Sequence, residues 1–200
     1  MKNAKPFLLI ILTFVAFLSV VTNSFAQKNA IKVHPLSGKI AYERLFTPNV
    51  SGQIAVKVLP ISIPINDGDG KIGIKDYSIS PEVRFYLGKD REEKLAGFYI
   101  APYLKGGLTE VQANVRSDSD LTEKAKFTGS TIGGGATIGW QWTLNSGFNI
   151  GTALGFGLSR FSFNDVEVEY ADGNVEREEL SGINLGGAWP QFRFSIGYAF

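Results

Sequence analysis

The last nine residues constrain this chain more than any other stretch. Phe192, Phe194, Ile196, Tyr198 and Phe200 put a large apolar side chain at every second position, while Arg193, Ser195, Gly197 and Ala199 between them are polar or small. Successive side chains of an extended strand project to opposite faces. This strand therefore has one greasy face and one polar face right up to its final residue. A strand with lipid on one side and a polar lumen on the other carries this pattern. It predicts a bacterial outer-membrane β-barrel, and it says far more about location and architecture than about activity.

The opposite end agrees. Lys2 and Lys5 form a basic start, Phe7 to Val21 is almost purely apolar, and Ser24-Phe25-Ala26 offers small residues where a signal peptidase reads. That order predicts a secretory signal over residues 1–26. The apolar run is shorter than the ~20 residues a spanning helix needs. Residues 27–200 are then expected to form one domain, the barrel. With no cysteine, the chain has no lipid-attachment thiol and no disulfide.

Beyond Ala26 no stretch is apolar enough to span a membrane as a helix, yet 44% of the residues are hydrophobic and the chain holds 23 Gly and 15 Phe. Glycine and aromatics in alternating segments separated by polar loops read as β throughout. A formal net charge of +1 supplies no basic field for nucleic acid.

Alternation marks the strands. Phe148, Ile150, Thr152, Leu154, Phe156 and Leu158 oppose the small residues between them over 148–163, and Ile132, Ala136, Ile138, Trp140, Trp142 and Leu144 do the same over 131–144. Only Asn145-Ser146-Gly147 separates these two segments, so they predict a hairpin. Further strands are expected over 98–111, 73–87, 52–63 (slipping phase near Leu59-Pro60) and 39–46. The segment 30–36 is a weaker strand, required because both termini of such barrels lie on the periplasmic side and the strand count is even. Pro81, Pro102 and Pro190 are expected at bulges or strand ends, since proline cannot donate to a ladder. Residues 47–51, the segment around 90–93 and 145–147 are expected as periplasmic turns. The segments near 67–70, near 117–120 and over 164–182 are expected as extracellular loops, the last being the longest. Tyr42, Phe85, Phe98, Trp140, Trp142, Phe148, Tyr198 and Phe200 fall near the periplasmic ends as an interfacial girdle.

Four segments carry a resemblance: Ile40-Ala41-Tyr42-Glu43-Arg44, Ser80 to Tyr86, Gly97 to Tyr103, and Phe192 to Phe200. On these the chain resembles a family of small bacterial outer-membrane barrels of unassigned function, similar in scale to the OmpA and OmpX barrels. The resemblance implies an all-β fold, an eight-stranded antiparallel transmembrane barrel with short periplasmic turns and longer extracellular loops, and it implies no activity. The stripe Phe192, Phe194, Ile196, Tyr198 and Phe200 also resembles the signal read by the outer-membrane insertion machinery. That machinery and outer-membrane lipid are the expected partners.

Motifs that suggest chemistry have plainer explanations. The glycines at 133–135, 151, 155 and 157 alternate on strands and precede no Gly-Lys-Ser or Gly-Lys-Thr, so they relieve crowding in a narrow barrel rather than cradle phosphate. His34 is the sole histidine and has no spaced metal-ligand partners, so no metal site and no cofactor are expected. Asp67-Gly68-Asp69-Gly70 imitates the middle of a calcium loop, but Ile65 stands at the first ligand position and Asp76 at the last. A tight turn accounts for it.

The inward charges are the candidates for something specific. Glu43, Asp76 and Glu82 oppose Arg84, Lys105 and Arg193, with Lys57 near the phase slip. An eight-stranded barrel is just wide enough for side chains to fill, and a buried charge without a partner is costly. These residues are expected to form a salt-bridged polar core, with Glu82, Arg84, Lys105 and Arg193 in the periplasmic half of the lumen and Glu43 or Glu82 paired to Arg84. The function this predicts is non-catalytic, supporting the envelope or presenting extracellular loops. The alternatives are a narrow channel and a soluble calycin-like ligand-binding barrel.

Overall fold

The computed structural model describes residues 27–65, 70–88, 94–116, 122–169, 175–179 and 184–200. The secretory segment 1–26, the calcium-like turn at 67–69, the turn at 90–93 and the loop at 117–120 lie outside the described residues. Nine strands follow in order: β1 Asn29–His34, β2 Lys39–Thr47, β3 Val50–Ile65, β4 Gly70–Tyr86, β5 Gly97–Arg116, β6 Thr122–Thr143, β7 Phe148–Glu169, β8 Val175–Glu179 and β9 Asn184–Ala199.

Eight of these close a ring. Each of β1 to β7 pairs antiparallel with the next, and β9 pairs with both β7 and β1. The short β8 lies outside the ring, paired to the far end of β7 through Asp165↔Glu179 to Glu169↔Val175. It occupies the same side of β7 as β9, so β8 and β9 are the upper and lower parts of one stave.

The registers fix the size of the barrel. Starting at Trp142 and stepping across paired residues gives Ile150, Ile196, Val33, Ile40, Val56, Ile79, Gly106 and then Ile132, back on β6. The circuit returns ten residues from its start, so eight strands close with a shear of ten. With strands ~4.8 Å apart and a rise of ~3.3 Å per residue, that shear implies a tilt of about 41° and a backbone radius of about 8 Å.

The alternation read from sequence is the alternation observed. Ala41, Glu43, Ser78, Ser80, Glu82, Arg84, Tyr99, Ala101, Tyr103, Thr137, Ala153 and Ser195 are buried in the lumen, while Ile132 and Leu158 are each 70% exposed on the outside. The expected girdle residues gather at the end that holds Asn29, Phe200 and the turns at 48–49 and 144–147. There Phe98 packs against Trp140 at 6.2 Å and Trp140 against Trp142 at 6.1 Å.

Glycine makes room for the rings that fill this narrow interior. A Cβ on Gly139 would sit 2.6 Å from the Tyr99 hydroxyl, and one on Gly157 would collide with the Tyr103 hydroxyl.

Several expectations are corrected. β5, β6 and β7 run well past their predicted ends, and residues 164–169 and 175–179, expected within a long loop, are a strand extension and β8. Backbone pairing continues there past a register irregularity at Asn164, after which the alternation of Val166 and Val168 with acidic residues is out of phase with the apolar outer stripe. β3 pairs β4 without a register shift from Val50↔Phe85 to Ile65↔Gly70, so there is no phase slip at Leu59-Pro60. Pro81, Pro102 and Pro190 all lie inside strands at no register shift. The cost is confined to the β4–β5 ladder, where Ser80, Pro81, Val83 and Arg84 have no paired partner in β5 although the register is kept. Connection lengths also break the short-turn, long-loop rule. β1 and β2 join at the loop end through the four residues Pro35–Gly38, while β4 and β5 join at the turn end through residues 87–96.

Candidate lumen site

Glu43 is the centre of the lower lumen. It projects from β2 with no exposed surface and receives five donors: Lys32 Nζ from β1, Ser51 Oγ at 2.5 Å from β3, Tyr86 Oη at 2.9 Å and Arg84 Nη1 at 3.1 Å from β4, and Gln141 Nε2 at 3.3 Å from β6. Arg84 continues the chain, donating through Nε to Glu82 at 2.6 Å and through Nη1 to Gln141 Oε1 at 2.6 Å. Glu82 in turn accepts from Arg193 on β9.

Topology explains what this last bridge does. β4 and β9 are four positions apart in a ring of eight, so the Glu82–Arg193 pair crosses the full diameter of the lumen. Aromatic rings hold the cations from the side: Arg84 lies 4.5 Å from the centroid of Tyr99, and Arg193 lies 4.1 Å from that of Tyr103. Both carboxylate oxygens of Glu43 and of Glu82 are engaged.

At the lower end of the network lies Leu95, in the β4–β5 connection. Leu95 has no exposed surface, and its carbonyl accepts from Gln141 Nε2 at 3.0 Å, Thr143 Oγ1 and Asn149 Nδ2 at 3.4 Å. An aperiodic connection is thus tied into the mouth of the barrel by three polar side chains from β6 and β7.

The six charges named from sequence do not all meet. Glu43, Glu82, Arg84 and Arg193 belong to one network, and Arg84 is bound to both glutamates rather than to one. Asp76 lies elsewhere, paired with Lys57 at 2.5 Å. Lys105 has no ion-pair partner among the described residues and stands higher in the lumen than Glu82, whose β5 partner is Tyr103. Four members of the network were not singled out: Lys32, Ser51, Tyr86 and Gln141. Lys32 sits in the strand with the poorest pattern, although Ala30, Lys32 and His34 do alternate with Ile31 and Val33.

Fold and site together define a closed eight-stranded antiparallel β-barrel, apolar outside and crossed inside by ion pairs. The chain belongs to the family described as protein of unknown function (DUF3575), whose model matches residues 9–185. Among solved structures it is similar to Acinetobacter baumannii CarO at 9% identity, with 90% of this chain and 100% of that chain covered and a TM-score of 0.43. No curated protein matches the chain.

Proposed function

We propose that the protein is a non-catalytic integral barrel of the bacterial outer membrane, its lumen plugged, presenting the extended β5–β8 region outside the cell. The observation that carries this reading is the inversion of a soluble protein's pattern: charges fill the interior while large apolar side chains cover the exterior. From Trp142 to Ile132 the outward face of β6 spans ten residues, a rise of about 25 Å at this tilt, which equals the apolar band of an outer-membrane barrel. Above that band, Glu110 gathers Lys75 at 2.8 Å and Lys126 at 3.3 Å, the charged surface expected where lipid ends. A soluble calycin-like barrel needs the opposite arrangement of faces.

In this reading the terminal strand Phe192–Phe200 is what the insertion machinery engages, and outer-membrane lipid is the lasting partner. The Glu82–Arg193 bridge and the Leu95 seal support a plug over a channel. Separation of the outer membrane from whole cells, followed by gels of heated and unheated samples, tests the location and the barrel together. Planar-bilayer recording tests the plug. A steady single-channel conductance in the unmodified protein would replace the plug with a channel.

A further inference from the structure

The barrel wall is uneven. β1 and β2 have six and nine residues, whereas β3 and β9 on either side of them have sixteen each. β9 pairs with β1 only up to Val33↔Ile196, so 184–195 have no partner on that side. β3 pairs with β2 only up to Lys39↔Lys57, so 58–65 have none on theirs. β3 and β9 do not pair with each other across the gap. The wall therefore has a notch whose sill is the Pro35–Gly38 turn.

That sill is well made. Ser37 N and Gly38 N donate to His34 O at 3.1 and 2.9 Å, and Gly38 takes the left-handed φ of 64° that closes the turn. Its level follows from the shear: each residue climbs about 2.5 Å along the axis, which puts Leu36 roughly 10 Å below the outer rim of the apolar band at Ile132 and Leu108. The notch thus opens toward the outer leaflet. Unpaired strand edges facing hydrocarbon are costly, so the gap calls for an occupant with polar atoms.

A cavity of about 280 Å³ lies behind the notch, resting on the ion-pair plug. Its lining crosses the wall: His34, Lys39, Gln53, Ser80, Arg193 and the Glu82 that Arg193 pairs with come from the lumen face, whereas Leu36, Phe192 and Phe194 come from the sill and the outer face. Inside, His34 is 6% exposed and Gln53 4%, and neither His34 Nε2 nor Gln53 Oε1 has a hydrogen-bond partner. The Gln53 amide can turn either end to a ligand.

The charge is one-sided. Lys32, Lys39, Lys57, Arg84, Lys105 and Arg193 face the lumen against Glu43, Asp76 and Glu82, an excess of three positive charges among the described residues. Lys39 donates to Ser80 Oγ at 3.2 Å, has no ion pair among the described residues, and lies within electrostatic reach of three cations, Arg193, Lys105 and Lys57, and of one carboxylate, Glu82.

We propose that this notch and cavity bind an anionic lipid. Its phosphate or carboxylate head group sits inside against Lys39 and Arg193, with His34 and Gln53 as hydrogen-bond partners, and its acyl chain leaves through the notch over Leu36, Phe192 and Phe194. The head group meets the unneutralised lumen cations, its linkage to the chain brings polar atoms to the notch, and the chain stays in the bilayer. The inference rests on the outer-membrane reading, because only in a bilayer does the notch meet acyl chains.

The test uses the full barrel refolded into phosphatidylcholine vesicles, then transferred to a neutral detergent for native mass spectrometry with hexadecyl phosphate, hexadecanol and inorganic phosphate as probes. One hexadecyl phosphate should be retained, hexadecanol should not, and inorganic phosphate should compete only weakly. Lys39→Gln removes a cation that no carboxylate holds, so the plug is untouched, and binding should fall about tenfold. Leu36→Glu places a like charge at the exit and should also weaken it.

Equal retention of hexadecanol would reduce the site to an apolar groove. Full competition by inorganic phosphate would make it a free-anion site without a lipid. Binding unchanged in Lys39→Gln, or absent in the unmodified barrel, would overturn the proposal outright. A chain that never enters the vesicles would overturn the membrane reading instead, so the two failures are told apart before any lipid is added.

Discussion

Glu43→Gln probes the lumen network at its centre. The substitution keeps the shape of the side chain and removes the single charge on which five donors converge. Arg84 would still hold Glu82 at 2.6 Å, but Lys32, with no exposed surface, would keep only neutral acceptors, Gln141 Oε1 at 2.8 Å and the new amide oxygen. The amide oxygen can turn to Lys32 and Arg84 with the NH2 toward the Ser51 and Tyr86 hydroxyls, so the loss is chiefly that of the negative charge. Removing one partner of a buried pair costs about 3–5 kcal/mol, because the other charge is left uncompensated, and the burial of Lys32 puts this case in that range. A urea titration in phosphatidylcholine vesicles, followed by tryptophan fluorescence, should show a lower midpoint with an unchanged slope. Adding Lys32→Met removes the stranded cation, and the double variant should recover most of the loss. A single variant within about 1 kcal/mol of the unmodified barrel, the level of an exposed pair, would refute the reasoning. So would a double variant no more stable than the single one.

Three other outcomes follow from the same geometry. Leu154→Arg and Ile138→Arg, on side chains 60% and 51% exposed, should each cost about 2–4 kcal/mol in the vesicle titration, while Ser159→Arg, on the lumen face of β7, should cost clearly less; equal costs would mean the faces are misassigned. Gly139→Val should displace the Tyr99 ring and cost about 1–3 kcal/mol as overpacking, read as a fall in the same midpoint, and an unchanged midpoint would show the lumen to be looser than the packing implies. Deleting Phe200 removes both backbone bonds that lock β9 to Asn29, at 2.8 and 2.9 Å, along with the last outward aromatic; the variant should be lost from the outer membrane and from the heat-modifiable band, and normal levels of both would release the terminal strand from any part in assembly.

What the sequence disclosed, and what it hid, divides along a physical line. The outer face was legible because one requirement acts on every second residue: Phe192 to Phe200, Leu154 to Leu158 and Ile138 to Trp142 must all be apolar, whatever lies opposite. Above the band β7 runs on from Phe163 to Glu169, and its alternation is inverted: the ladder skips Asn164, so Glu167 and Glu169 take the outer face while Val166 and Val168 take the inner one. The lumen obeys a different rule. A charge there must meet its opposite, but the meeting is set by height and by position round the ring, and both depend on a shear that only the summed registers of eight strands determine. So Arg84 and Glu82, two residues apart, could be paired by eye, whereas Arg193 reaches Glu82 across a diameter and Asp76 drops out of the network because it lies six residues further up the same strand. The notch is hidden for the same reason. Each of β1, β2, β3 and β9 looks ordinary alone. Only the register that stops β1 at Val33↔Ile196, while β9 continues upward, leaves an opening in the wall beside the cations that the lumen carboxylates do not neutralise.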